Sequence, residues 1–253
     1  MSQPGSDPLA GYPVAAPPLG GRTWFDQSWL DLTFLHWPVR PADVAHLYPP
    51  GTRPDVFDGM TYVGLIPFRM GYTKVGAAPA LPYFGAFAET NVRLYSVDDA
   101  GRHGVLFRSL ESARLAVVPA IRFTMGVPYT WARMRVTRSA DVIAYDSVRR
   151  WPRRGLRSRV AARIGDPVDP TPLEIWLTAR WGAHTRKAGR TWWVPNEHDP
   201  WQLQAAELLE LADELVSGAG VRPAGEQLRV LYSPVMRTRF GRPIVVAGGS
   251  VSQ

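Results

Sequence analysis

The chain has 253 residues, 45% of them hydrophobic and 20% charged, enough to bury a sizeable core without covalent staples. Cysteine is absent, which excludes a disulfide scaffold, a zinc finger, an iron–sulfur centre and a thiol nucleophile. The net charge of +7 rests on 29 basic residues, of which only Lys74 and Lys187 are lysines, so chemistry that needs a lysine amine has two candidates.

Residues 1–22 lack the basic start and continuous apolar core of a signal peptide and read as a flexible Pro/Gly-rich tail. Residues 247–253 read the same way, leaving 23–246 as a single domain. No run of 18 apolar residues occurs, so no membrane span and no membrane partner are expected. A cytoplasmic protein is the expectation. Heavy arginine use permits attraction to nucleic acid or an anionic membrane, but a GC-rich coding background is the favoured account of it.

In chain order, 23–37 is dense in aromatic and branched residues and predicts a strand. Pro41–Tyr48 predicts a helical turn ended by Pro49-Pro50-Gly51, and Asp58-Gly59 a hairpin-type turn. Met60–Met70 predicts a strand with Tyr62, Gly64, Ile66 and Phe68 on one face, followed by a loop over Gly71–Phe84. Strands follow at Glu89–Val97 and Val105–Leu110. Ser112–Phe123 has helical spacing, with Pro119 as a break or kink. Trp131–Thr137, Val142–Arg149 and Leu156–Ile164 predict strands, the last by strict period-two alternation. Thr171-Pro172-Leu173-Glu174 has the form of a capping box and predicts a helix to about Trp181. Thr185–Val194 predicts a hairpin around Ala188-Gly189. Pro200–Val216 predicts a long helix with Leu203, Ala206, Leu209, Leu211 and Leu215 on its apolar side. Leu228–Val235 and Arg237–Val246 are closing strands. The fold class is α+β, mainly antiparallel β, closed or strongly curled.

No GxSxG, HExxH, Walker or GxGxxG signature occurs, and the five histidines have no ligand spacing, so neither metal nor cofactor is expected. The arginines at 149, 150, 153, 154, 157, 159 and 163 permit a nucleic-acid reading, but period two puts the last three on one solvated strand face. Strand alternation also puts Glu89, Asn91, Arg93 and Tyr95 on one face. On an outer face that row is ordinary, whereas inside a closed sheet it becomes a candidate site, because a buried ion must be paired. Tyr129, Trp131 and Arg133 share one side of a strand after Gly126-Val127-Pro128, suiting either an apolar pocket with one cation or a core edge. Asn196-Glu197-His198-Asp199 precedes the expected long helix, with Asp199 as its cap.

Seven stretches in order resemble the YqjF-like family, designated domain of unknown function 2071. They are LTFLHWPV (32–39), YPPG (48–51), FDGMTYVGLIPFRM (57–70), ETNVRLY (89–95), GVPYTWARM (126–134), PLEIWLTARW (172–181) and HDPWQLQAAEL (198–208). The resemblance implies the acetoacetate decarboxylase-like fold, a β-barrel or cone with two or three flanking helices around an internal pocket. That decarboxylase uses a Schiff-base lysine after a Gly-x-Pro turn. The similar turn here, Gly126-Val127-Pro128, is followed by Tyr129 and Thr130, which cannot form an imine. Glu89 resembles the glutamate that the decarboxylase carries on an earlier strand.

The expected function is therefore binding of a small, partly apolar carboxylate or keto compound without Schiff-base decarboxylation. Asn91, Arg93, Trp131 and Arg133 are the candidate ligand-binding residues. The alternative is a lyase or hydratase-type enzyme, with Glu89 as general acid/base and Tyr129 as proton donor. A second alternative is an arginine-rich binder of nucleic acid or another anionic polymer, the least expected partner. A homo-oligomer remains open.

Overall fold

The structure, a computed structural model, describes residues 8–76 and 86–246. Within them lie thirteen strands: β1 Phe25–Val39, β2 Thr52–Pro54, β3 Thr61–Val75, β4 Phe87–Asp98, β5 His103–Ser112, β6 Tyr129–Ser139, β7 Val142–Trp151, β8 Arg157–Pro167, β9 Gly182–Lys187, β10 Arg190–His198, β11 Gln204–Asp213, β12 Val230–Phe240 and β13 Ile244–Val245. Four short helices accompany them: α1 Pro41–Val44, α2 Val117–Met125, α3 Pro172–Thr178 and α4 Leu215–Gly218. Pairing is antiparallel except for β5 with β6 and β5 with β9.

The sheet closes on itself twice. One ring runs β5-β6-β7-β8-β11-β12-β1-β3-β4 and returns to β5; the other joins β10 to β12 and passes through β1, β3, β4, β5 and β9. The shared strands are covered on both faces, which explains why Thr61–Met70 of β3 is buried at every position but Arg69. On the first ring's side, Leu35, Val63, Leu65, Val92, Leu94, Ile143, Val160 and Tyr232 form one apolar cluster. On the other, Leu32, Phe34, Ile66, Phe68, Met70, Leu110 and Val127 form a second. In β4, period two thus sends Val92 and Leu94 to the first core and Glu89, Asn91 and Arg93 to the second ring's interior. The result is a mainly antiparallel, cone-like closed sheet with few helices.

Close strand approach constrains this second ring. A Cβ on Gly182 would lie 2.4 Å from the Trp193 ring and 2.7 Å from the Val194 carbonyl oxygen. Gly182→Ala is therefore expected to cost roughly 1–3 kcal/mol through overpacking. An unchanged urea midpoint would count against this account of the ring.

The long helix expected over Pro200–Val216 is not formed. Gln204–Asp213 is strand β11, and only Leu215–Gly218 is helical. Ala, Glu and Leu favour a helix by only a few tenths of a kcal/mol each, and closing the first ring between β8 and β12 outweighs that. The strand register also pairs charges, Glu207 with Arg163 at 2.5 Å and Glu210 with Arg159 at 2.7 Å. Leu209 and Leu211, expected in the core, are exposed, while Leu203 and Leu215 are buried. Asp199 consequently caps no helix; it is exposed after β10.

Other differences are smaller. β3 continues through Gly71–Val75, where a loop was expected; residues 77–84 of that loop lie outside the described residues. Pro119 does not break α2, because it occupies the first turn, where backbone N–H groups have no helical acceptor. α3 has the expected reciprocal capping of Thr171 and Glu174 but stops at Thr178. β12 runs Val230–Phe240, joining the first expected closing strand to the start of the second, whose end is the separate two-residue strand β13. The N-terminal stretch, expected to be a free tail, is tied down where it is described: the Tyr12 hydroxyl donates to the Ala179 carbonyl at 2.7 Å, and the Trp181 indole donates to the Pro13 carbonyl. No helix of the described residues is long and apolar enough to cross a membrane.

Candidate functional site

The second ring encloses a cavity of about 110 Å³. Its apolar wall comes from Trp29, Ile66, Phe68, Phe107, Met125 and Trp201 among others, and its polar residues include Glu89, Asn91, Arg93, Tyr129, Arg180 and His198. Four of the six residues singled out from the sequence, Glu89, Asn91, Arg93 and Tyr129, thus line one cavity. The other two do not. Trp131 packs half-buried against the second apolar cluster, and Arg133 is exposed. β6 keeps its alternation, so Arg133 stays on the Tyr129–Trp131 side, but it lies past the end of the β5–β6 ladder at Trp131, where that side opens to solvent; the extra residue of the β6–β7 bulge is Arg150, on β7.

Glu89 and Tyr129 form a buried pair, with the Tyr129 hydroxyl donating to Glu89 Oε2 at 2.9 Å. Burial pushes the Glu89 carboxyl up to about 8, although the Tyr129 hydrogen bond opposes this. At neutral pH the carboxyl is therefore mostly protonated and offers an O–H. Burial, then the neighbouring Glu89, holds the Tyr129 hydroxyl well above its usual range. The pair is an acid–acid couple rather than an ion pair.

Two guanidinium groups lie beyond it. Arg93 donates to the Tyr95 hydroxyl and to the Leu177 carbonyl, each at 3.3 Å, and pairs with no carboxylate among the described residues. Arg180 is buried, ion-paired to Asp55 and stacked over Trp176, 3.9 Å from the ring centre. His103 holds the same Asp55 at 2.8 Å. The short α3 explains the Arg180 position, since the chain turns at Ala179 and returns the next side chain to the core. Burial, then Arg93 and Arg180, lowers the His36 pKa well below its usual value, so this imidazole is neutral. His36 Nε2 lies 2.6 Å from the Tyr95 hydroxyl. Burial also lowers His198. Among the described residues, three buried side-chain atoms on the cavity lining lack a hydrogen-bond partner: Asn91 Oδ1, Asn196 Oδ1 and Arg180 Nη2.

Arg180, Asn196 and His198 escaped the sequence reading. The capping box extends the expected helix over Thr178–Trp181, and the expected long helix makes Asn196–His198 its lead-in. The alternation of Asn196 and His198 at the end of a strand was the available signal. The arginine run reads differently in place. Arg159 pairs with Asp146 and Glu210, and Arg163 with Glu207, so that strand face is largely neutralised. Arg149 is buried against Glu111.

With this geometry in view, similarity to known proteins is informative. The model of the DUF2071 family, described as an uncharacterized conserved protein, matches residues 26–237. The chain belongs to the DUF2071 family. The uncharacterized protein YqjF of Bacillus subtilis (strain 168) is 32% identical over 184 residues, covering 72% of this chain and 75% of that protein. Among solved structures, an acetoacetate decarboxylase-like enzyme from Sphingomonas wittichii RW1 aligns with a TM-score of 0.63 at 13% identity, covering 90% of this chain and 95% of that one. Acetoacetate decarboxylase from Legionella pneumophila aligns at 0.60 and 13% identity over 98% of both chains. The enduracididine biosynthesis enzyme MppR, complexed with pyruvate, aligns at 0.61 and 13% identity over 92% of both. At such identities the likeness shows a shared fold and nothing of the chemistry.

The DUF2071 chain carries no lysine on its cavity wall among the described residues. Lys74 sits on β3 opposite Asp26, and the Lys187 amine donates to the Thr124 carbonyl at 2.8 Å. After Gly126-Val127-Pro128, Tyr129 is committed to Glu89, and the Thr130 hydroxyl donates to the Leu110 carbonyl at 3.2 Å.

Proposed function

We propose that the chain binds a small, partly apolar carboxylate or keto compound in this cavity and forms no imine with it. The observation that carries the reading is Arg93, a guanidinium on the wall of a mostly apolar cavity with no carboxylate partner among the described residues. A guanidinium matches a carboxylate in a two-pronged geometry. The neutral acid pair Glu89–Tyr129 would hydrogen-bond a carbonyl or hydroxyl oxygen of the same ligand, and Phe68, Phe107 and Trp201 would cover its apolar body. Arg180 and Asn91 stand ready as further polar partners.

A thermal-shift panel of short carboxylic and keto acids tests this. Ligand at 100 times its Kd stabilises by about 2.7 kcal/mol, a readable rise in Tm. Arg93→Ala should abolish the rise, and its persistence would refute the anion role. Borohydride treatment in the presence of a responding keto acid is expected to give no covalent adduct. A mass increase on either lysine would overturn the exclusion of an imine.

A second reading, catalysis without an imine, is favoured by the Glu89 carboxyl held at about 8 beside the Tyr129 hydroxyl. A general acid works best with its pKa near the working pH. On that reading Glu89→Gln abolishes turnover of a responding ligand while leaving its binding intact, and full turnover by this variant would sink it.

A further inference from the structure

Helix α2 is apolar on both sides. Val117, Val118, Ile121 and Met125 face inward, the last two onto the cavity wall. Its solvent side continues from Ala116 through Pro119 and Ala120 to Phe123, the i, i+3, i+4, i+7 positions of one stripe, all exposed. Phe123 is 80% exposed, and Leu115, just before the helix, is 53% exposed. A helix with apolar stripes on two sides normally buries both, and here one is left exposed.

The border of this ridge is basic. Arg122, the sole charged residue of α2, lies 5.1 Å from the centre of the Trp151 ring, which ties the helix to the tip of the β7–β8 hairpin. Trp151 is itself 48% exposed. Arg150, Arg153 and Arg154 at that tip are exposed and make no ion pair among the described residues. No Asp or Glu occurs in residues 112–140 or 147–165.

Charge decides between the possible occupants. A second copy of this chain, paired about a twofold axis through the ridge, would bring two sets of hairpin arginines together, which is unfavourable. A nucleic acid would engage the arginines and stack on the aromatic rings but leave the Leu115–Ala120 stripe wet. A bilayer with anionic headgroups matches both parts, since aromatic and aliphatic side chains enter the headgroup–acyl boundary while arginines meet lipid phosphates. We propose that the outer face of α2 and the tip of the β7–β8 hairpin form a docking surface for an anionic lipid bilayer, peripheral and not spanning.

Vesicle co-sedimentation of the full chain tests this. The probes are vesicles of phosphatidylcholine alone and of phosphatidylcholine with phosphatidylglycerol. Binding is expected to be at least about tenfold stronger to the anionic vesicles and to weaken as salt is raised. Phe123→Asp and the double variant Arg153→Glu/Arg154→Glu, both at exposed positions, should each weaken it about tenfold with Tm unchanged. Equal binding to both vesicle types, no binding to either, or variants that bind like the parent chain would overturn the proposal. So would a concentration-dependent dimer in sedimentation velocity that Phe123→Asp dissolves, which would make the ridge a self-interface. Loss of oligonucleotide binding in the arginine variant with vesicle binding intact would overturn it as well.

Discussion

Arg149→Ala is expected to cost roughly 3–5 kcal/mol of stability, the usual penalty for stranding one member of a buried ion pair. Arg149 is only 5% exposed and its partner Glu111 is fully enclosed. The Arg149 Nε lies 3.0 and 3.1 Å from the two Glu111 carboxylate oxygens, and Nη2 contacts Oε1 as well. The pair links β7 to β5 across the start of β6, where the first ring closes through a short parallel ladder. Alanine would leave the Glu111 carboxylate without its counter-charge in a space closed to solvent. In a domain of this size the loss should lower Tm by about 10 °C. Arg150→Ala, one residue on and exposed, should change stability by less than about 0.5 kcal/mol. The double variant Arg149→Met/Glu111→Leu should recover most of the loss, because it removes both charges instead of one. Urea unfolding of the three variants decides the matter. A loss below about 1 kcal/mol for Arg149→Ala would mean that Glu111 finds protons or water where none is evident.

That contrast between neighbours shows where sequence reasoning succeeds and where it stops. In the arginine run, period two separated the inward Ser158, Val160 and Ala162 from the outward Arg157, Arg159 and Arg163, and the strand follows it. It carried no information about Arg149, whose burial depends on Glu111 arriving from a strand 38 residues earlier. The row Glu89, Asn91, Arg93 was equally legible as a row. Whether it faced inward depended on ring closure, which no local pattern encodes and which the family resemblance supplied. Arg133 failed for a related reason: the alternation that puts it on the Tyr129–Trp131 side of β6 holds, but how far along that side the second ring reaches is set by strands remote in sequence. The segment 204–213 failed because its Ala, Glu and Leu residues fit a helix stripe, while the Arg163 and Arg159 partners that hold it as a strand lie about 50 residues away. Arg180 was hidden by a helix that ends three residues sooner than the pattern suggested.

Glu89→Gln is expected to make the protein more stable at alkaline pH and to leave it almost unchanged in mild acid. The Glu89 carboxyl is raised from an ordinary 4.5 to about 8 in the folded chain. A carboxyl with a raised folded pKa contributes stability that is fully present below its unfolded value and is lost as pH rises through the folded value. The loss therefore runs from about pH 4.5 to about pH 8, because the unfolded chain releases this proton while the fold retains it. Glutamine is nearly isosteric with the neutral acid, can still accept from the Tyr129 hydroxyl, and does not titrate. The stability difference between variant and parent should thus be small near pH 4, grow by about 1.4 kcal/mol per pH unit, and level off above pH 8 at something on the order of 5 kcal/mol. Comparing the two proteins at each pH cancels every other titrating group, including Asp31, Asp55 and Glu174, whose lowered values act in the acid range. Tyr129→Phe should move the upper limit of the window further up, since it removes the hydrogen bond that opposes the rise. Guanidinium unfolding at half-unit steps from pH 4 to pH 9 would trace the curve. A difference that stays flat across this range would mean that Glu89 is ionised at neutral pH, and the acid pair could then donate no proton to a bound carbonyl.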